Sequence, residues 1–269
     1  MAPDLMTPGS VKPACAAIVL AAGAGTRMDS DLPKPLHPVA GRAMVLRVLD
    51  ALAGIDAGPI VVVVGHGADQ VRAEVGARAP QPDQVVFTTQ HEQLGTGDAV
   101  RVGLSALGER PAAADVVVLP GDTPLLRTAT LAQLASVRRQ QGAAASLLTA
   151  HLDDPTGYGR IVRAGGMVDI VEQRDASPAQ VAINEINAGM YCFDVAKLRQ
   201  VLPRLRLANA AGEYYLTDAI GLLARSGQSV ATVTMSDPTE ALGVNDTDQL
   251  AACEAVLTSQ RRSRGPSGP

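Results

Sequence analysis

The segment IVLAAGAGTRMDSDLPKPLHPVAG, residues 18–41, concentrates groups that could handle phosphate. An apolar stretch ending at Leu20 meets Gly23 and Gly25, which permit a turn with exposed backbone N–H groups, and Arg27 and Lys34 follow. N–H groups aimed at one point bind anions, and two nearby cations could neutralise a polyphosphate. The spacing is neither G-x-x-x-x-G-K-[ST] nor G-x-G-x-x-G, because Thr26, Arg27 and Met28 follow Gly25. The glycines alone would equally make an ordinary strand-to-loop turn. Lys34 weighs against that reading. The chain has three lysines against 20 arginines, and this one stands between Pro33 and Pro35, where the backbone is stiff. A compact ammonium held in place is the chemistry implied.

Two further segments carry candidate ligands. In VVVLPGDTPLL, residues 116–126, Asp122 falls just past the carboxyl end of a predicted central strand, where open α/β sheets bind ligands. A carboxylate there suits Mg²⁺, which takes one or two protein oxygens beside substrate phosphates. Gly-Asp before Thr-Pro is also good turn chemistry. In QHEQLGTGDAV, residues 90–100, Gly95, Thr96 and Gly97 allow close approach to the backbone, and the Gln90 amide could read a base edge. Thr96 could equally cap a helix, and both roles are compatible.

The elements that must position these groups follow an alternating rhythm. Short, continuously apolar runs at Ala16–Leu20, Ile60–Val64, Gln84–Thr88 and Asp115–Leu119 read as parallel strands buried on both faces. Helical patterns at Met44–Leu52, Ala68–Ala77, Asp98–Leu107 and Leu131–Gln141 lie between and after them. Strand alternating with helix predicts a Rossmann-like, doubly wound α/β fold, and with the change of pattern in the second half a mixed sheet is expected. Past residue 142 the pattern changes: a strand at Ala143–Leu152, then a hairpin of Gly159–Val162 and Val168–Glu172 about Gly165-Gly166. A strand at Asn184–Asp194, helices at Val195–Leu202 and Tyr214–Arg225, a strand at Ser229–Met235 and a helix from Thr247 follow. The expectation is one α/β domain over 14–247, with a first half to about 142 and a second half over 143–247 that carries a smaller β-rich lobe. A C-terminal helix at 248–260 and a disordered tail at 261–269 complete it.

Composition narrows the function. Hydrophobic residues make up 46% of the 269, with 44 alanines but only six Phe and Tyr and no Trp. That favours close helix-on-sheet packing and disfavours aromatic stacking on nucleic acid. A net charge of −4 from well-mixed charges disfavours a polyanion-binding surface. Cys15, Cys192 and Cys253 are scattered, as are the four histidines, so no disulfide framework or zinc site is expected. The run Ala14–Ala22 could pass for a signal-peptide core but runs directly into a glycine turn, so it reads as a buried first strand. No apolar run approaches the roughly 18 residues that span a membrane. A cytoplasmic protein without nucleic-acid or membrane partners is expected.

The segments LAAGAGTRM, PKPLH, QLGTG, PGDTPLL, DDPTGYGRIVR, IVEQRDA, EINAGMYCFD, GEYYLTD and LGVND occur in that order. Together, over about residues 14–257, they resemble the uridyltransferase domain of the bacterial bifunctional N-acetylglucosamine-1-phosphate uridyltransferase / glucosamine-1-phosphate acetyltransferase. The resemblance implies transfer of UMP from UTP to N-acetylglucosamine 1-phosphate, giving UDP-N-acetylglucosamine and pyrophosphate. It implies that Leu20, Ala21, Ala22 and Gly23 hold the uridine with Gln90, Gly95 and Thr96. Arg27 and Lys34 would face the phosphates, and Asp122 and Asn245 would hold Mg²⁺. Gly159, Glu172 and Asn187 would hold the sugar and its acetamido group. A sugar phosphate is itself an oxygen nucleophile, so the chemistry reduces to bringing two anions together and stabilising charge.

This sequence departs from that family in three ways. No hexapeptide-repeat β-helix follows, so acetyl transfer is not expected, and a monomer or weak oligomer is expected instead of a β-helix trimer. Pro120 stands before Gly-Asp where an aromatic or small residue is frequent. Asp98 stands where His is usual after G-T-G, which leaves the base preference open. Two alternatives remain: a related transferase with another base or sugar, and a non-catalytic sugar-nucleotide sensor on the same fold.

Overall fold

The computed structural model describes residues 15–108 and 114–263. Strand β1 (Ala16–Ala21) leads to a short pair, β2 (Pro38–Val39) and β3 (Arg42–Ala43). Then α1 (Met44–Ala53), β4 (Ile60–Val64), α2 (Ala68–Arg78), β5 (Val85–Thr89), α3 (Thr96–Ala106), β6 (Asp115–Pro120) and α4 (Thr128–Gln140) alternate. The second half comprises β7 (Ala145–His151), the hairpin β8 (Arg160–Ala164) and β9 (Met167–Val171), α5 (Pro178–Val181) and β10 (Glu185–Asp194). It closes with α6 (Val195–Val201), α7 (Thr217–Arg225), β11 (Val230–Thr234) and α8 (Thr247–Ser263).

One sheet carries all of these strands except β2 and β3, in the order β11-β7-β10-β6-β1-β4-β5 with β8–β9 attached through β10. Parallel pairing of β1 with β4 and β6 makes the doubly wound core, and β10 enters antiparallel between β6 and β7. The sheet is therefore mixed, as expected. The hairpin is no separate sheet, since Arg160 pairs with Ile186 of β10.

Alternation along each strand explains why the apolar runs are continuous. Ala17, Val19, Val62 and Val64 pack on one face with Leu46, Leu49, Leu131 and Leu134 of α1 and α4. Ile18, Val61, Val63, Val116 and Val118 pack on the other with Leu104, Ile220 and Leu223 of α3 and α7. A smaller cluster of Met28, Met44, Leu125, Val244 and Cys253 docks α8 beneath the glycine-rich loop.

Several elements differ from expectation, among them α3 and α4, which start two and three residues early at Thr96 and Thr128, and some of the differences have a plain physical reason. β5 starts one residue late because Pro82–Gln84 form a 3-10 turn. The pair β2–β3 turns through Ala40 and Gly41, both at positive φ, a geometry that alanine does not signal. α7 starts at Thr217 because the backbone of Tyr214 is bonded to the 94–97 loop. Helix α8 runs on to Ser263, so residues 261–263 are helical where a tail was expected, and 264–269 lie outside the described residues.

Candidate active site

At the end of β1 the chain turns through Gly25 at φ +63°, a left-handed conformation that glycine adopts without strain. A Cβ there would lie 2.6 Å from Cβ of Lys34, so only glycine admits the lysine this close. Pro33 precedes the 3-10 turn Lys34–Leu36 and Pro35 lies within it, fixing the lysine backbone. Lys34 Nζ lies 2.5 Å from Asp122 Oδ2 and donates to Asn245 Oδ1 at 2.7 Å. The Val244 N–H donates to the Asp122 carbonyl at 3.0 Å, which ties the LGVND loop to the end of β6. Three residues drawn from positions 34, 122 and 245 thus meet.

The resemblance placed Lys34 on phosphate and the other two on a metal; here the ammonium bridges the two oxygens. Two hard oxygen donors converging on one cation are the partial shell that Mg²⁺ takes from protein. Among the described residues, no group of three or more His, Cys, Asp or Glu could hold a metal. The donor set therefore fits a magnesium shared with phosphate, and no dedicated protein cage is present among those residues.

Beside this cluster lies a cavity of about 470 Å³. From the first half Leu20, Ala22, Gly23, Gln90, Gly95, Thr96 and Asp122 line it. From the second half Gly159, Glu172, Asn187 and Asn245 do so. Ala21, Arg27 and Lys34 do not. The Ala21 side chain is packed in the core, so only its backbone is available to a ligand there. Arg27 is exposed on the loop.

The 94–97 loop is clamped by the GEYYLTD segment. Tyr214 N–H donates to Leu94 O, Gly97 N–H donates to Tyr214 O, and Leu216 N–H donates to Thr96 Oγ1. Gly95, not Thr96, is therefore the N-cap of α3, at φ +102° and without a side-chain cap. A Cβ on it would come within 2.7 Å of the Tyr214 carbonyl. Gln93 Nε2 donates to Ala22 O at 3.0 Å, joining this loop to the glycine turn.

On the opposite wall β10 carries an irregularity between Asn187 and Tyr191, with Gly189 at φ +73°. Bulges of this kind re-aim side chains beside active sites. Asn187 spans it: Nδ2 donates to Tyr191 Oη at 2.7 Å and Oδ1 accepts from Gly189 N–H at 3.2 Å. Its side chain thus has structural partners as well as a place on the cavity wall. Each end of the amide keeps one further bond to offer. Glu172 accepts from Thr217 Oγ1 at 3.0 Å. Burial pushes its carboxyl above the usual carboxylate range, against the Thr217 hydroxyl, which favours the ionised form. Tyr191 and Thr217 are cavity residues that sequence reasoning missed; their only signal was membership of the EINAGMYCFD and GEYYLTD segments.

No cysteine is placed to act as a nucleophile. All three are fully buried, and burial pushes the thiols of Cys15 and Cys253 up to about 11. No helix among the described residues is long and apolar enough to cross a membrane.

A mixed sheet with a cavity at its strand ends and the Lys34–Asp122–Asn245 cluster beside it suits a nucleotidyltransferase. Residues 17–209 match the MobA-like NTP transferase domain, and the chain belongs to that family. Among curated relatives, the Bifunctional protein GlmU of Brevibacillus brevis is 49% identical over 243 residues, which cover 90% of this chain and 51% of that protein. The protein of the same name from Mycolicibacterium vanbaalenii is 48% identical over 249 residues, covering 90% and 50% respectively. The chain spans about half the length of these relatives. A solved structure from Bacillus anthracis, provisionally assigned as a glucose-1-phosphate thymidylyltransferase, superposes with a TM-score of 0.71 at 20% identity. It covers 90% of this chain and 95% of its own, so the fold is shared.

Proposed function

We propose that the chain transfers UMP from UTP to N-acetylglucosamine 1-phosphate, releasing pyrophosphate and UDP-N-acetylglucosamine. The observation that carries this reading is a single cavity lined from both halves of the chain, with Lys34 bridging Asp122 and Asn245 beside it. The GlmU relatives support the choice of substrates.

Gln90, Gly95, Thr96 and the backbone from Leu20 to Gly23 would hold the uridine, with Ala21 contributing main chain only. Lys34 and Arg27 would bring positive charge to the triphosphate. Asp122 and Asn245 would hold Mg²⁺, which when bound supplies charge that stabilises phosphate oxygens. Asn187, Glu172 and the Gly159 backbone would orient the sugar. The sugar-phosphate oxygen then forms a bond to the α-phosphorus, and the bond from that phosphorus to the bridging oxygen of pyrophosphate breaks. Alignment by the two walls supplies the rest. We place the reaction in the cytoplasm, a reading the three unpaired, buried cysteines support.

A panel of UTP, dTTP, CTP and GTP against N-acetylglucosamine 1-phosphate and glucose 1-phosphate, read by pyrophosphate release, tests this. UTP with N-acetylglucosamine 1-phosphate is expected to give the highest kcat/KM. Release with none of the pairs would overturn transfer in favour of a sensor. A different best pair would overturn the substrate assignment.

A further inference from the structure

Gln90 and Asp98 lie eight residues apart, flanking the start of α3, and both are buried, at 6% exposure each. Gln90 Nε2 donates to Asp98 Oδ2 at 2.8 Å and to the Gly95 carbonyl at 3.1 Å. A carboxylate and a backbone carbonyl can only accept, so the nitrogen end of the amide must face them. The amide is thereby fixed end for end. Its carbonyl Oε1, without a partner among the described residues, is left for the cavity that Gln90 lines. The other oxygen of Asp98 is taken by Arg101, whose guanidinium lies over the Tyr214 ring at 5.7 Å. The carboxylate is thus held from the far side as well.

A glutamine free to rotate reads donors and acceptors equally. One held with its carbonyl outward accepts only. Uracil presents an N3–H donor between its two carbonyls, whereas cytosine presents an unprotonated N3 at the same place. Oε1 bonds the first and repels the lone pair of the second.

We propose that Asp98 is a positioning residue for base selection: it locks Gln90 with its acceptor toward the base and so favours uracil over cytosine. The inference rests on the nucleotidyl-transfer reading above only for placing the base at Gln90.

The test measures binding of UTP and CTP to the full chain by calorimetry, with MgCl₂ and without sugar phosphate. The wild type is expected to prefer UTP. Asp98→Ala should lower the UTP/CTP ratio by about tenfold, through weaker UTP and stronger CTP binding, because the freed amide can turn its nitrogen outward. Asp98→Leu, which fills the space without accepting, should lower it as well, so a folding defect in one variant does not decide the matter. Asp98→Asn keeps an acceptor for Nε2 and should restore most of the ratio. An unchanged ratio in Asp98→Ala or Asp98→Leu would overturn the inference, as would an equal loss of both nucleotides. A wild type that binds the two bases equally would overturn it while leaving nucleotidyl transfer standing. A wild type that prefers UTP yet releases no pyrophosphate would overturn the proposed function instead.

Discussion

The two walls of the cavity are built by different means. On the wall proposed for the nucleotide, strand ends and glycine turns present backbone, and beside it Lys34, Asp122 and the neutral amide of Asn245 meet across long sequence separations. On the wall proposed for the sugar, neutral and acidic side chains are interlocked with one another: Asn187 with Tyr191 across a bulge, Glu172 with Thr217. The contrast separates two kinds of mutational effect. Damage to the first wall should remove rate and leave the fold, because its functional side chains lie outside the sheet core. Damage to the second should cost selectivity and stability together, because its ligand-facing groups also satisfy buried partners.

The largest effect is expected where Lys34, Asp122 and Asn245 meet. Asp122→Asn should lower kcat by about 10²-fold, or about 2.7 kcal/mol, with an unchanged melting temperature. Near wild-type turnover at limiting Mg²⁺ would remove Asp122 from the site. Next comes Gly25→Ala, which forces a strained positive φ and a 2.6 Å contact on Lys34. Steady-state rates should fall about tenfold through displaced Lys34, a strain of about 1–3 kcal/mol.

Across the cavity, Asn187→Ala tests whether stability and selectivity are coupled. It leaves the buried Tyr191 hydroxyl without its amide, a loss of about 1–3 kcal/mol that thermal or urea melts should register. The kcat/KM ratio of N-acetylglucosamine 1-phosphate to glucose 1-phosphate should fall by roughly tenfold. A lower melting temperature with an unchanged ratio would make Asn187 a residue of the bulge alone.

The smallest effect is a pH dependence at Glu172. Its folded carboxyl binds protons more tightly than in the unfolded chain, because burial disfavours the charge. The associated stability is full below the unfolded carboxylate value and is lost as pH rises through the folded one. Glu172→Gln cannot ionise and keeps an acceptor for Thr217. Its melting temperature should match the wild type near pH 4 and exceed it at pH 7, with sugar-phosphate KM raised a few-fold. An equal difference at both pH values would refute the burial account.

The core strands were legible because a strand buried on both faces writes an unbroken apolar run, as at Ile60–Val64. Lys34 was legible for a different reason, its isolation among arginines between two prolines. Its contact with Asp122 was not, since nothing local marks a pairing made by docking the LGVND loop on β6. The start of α7 failed similarly: Tyr214 fits a helical pattern, yet its backbone serves the loop before α3. Tyr191 reads as an apolar strand residue, and only the bulge turns its hydroxyl into a partner for Asn187.

Direct displacement in one shared cavity is most directly tested by isotope exchange. The protein is incubated with UTP, labelled pyrophosphate and Mg²⁺, with and without N-acetylglucosamine 1-phosphate. Label should enter UTP only when the sugar phosphate is present, because the bond to pyrophosphate breaks only as the sugar-phosphate oxygen attacks. Exchange without the sugar phosphate would reveal a covalent uridylyl-enzyme and contradict the account, as would the absence of exchange under both conditions.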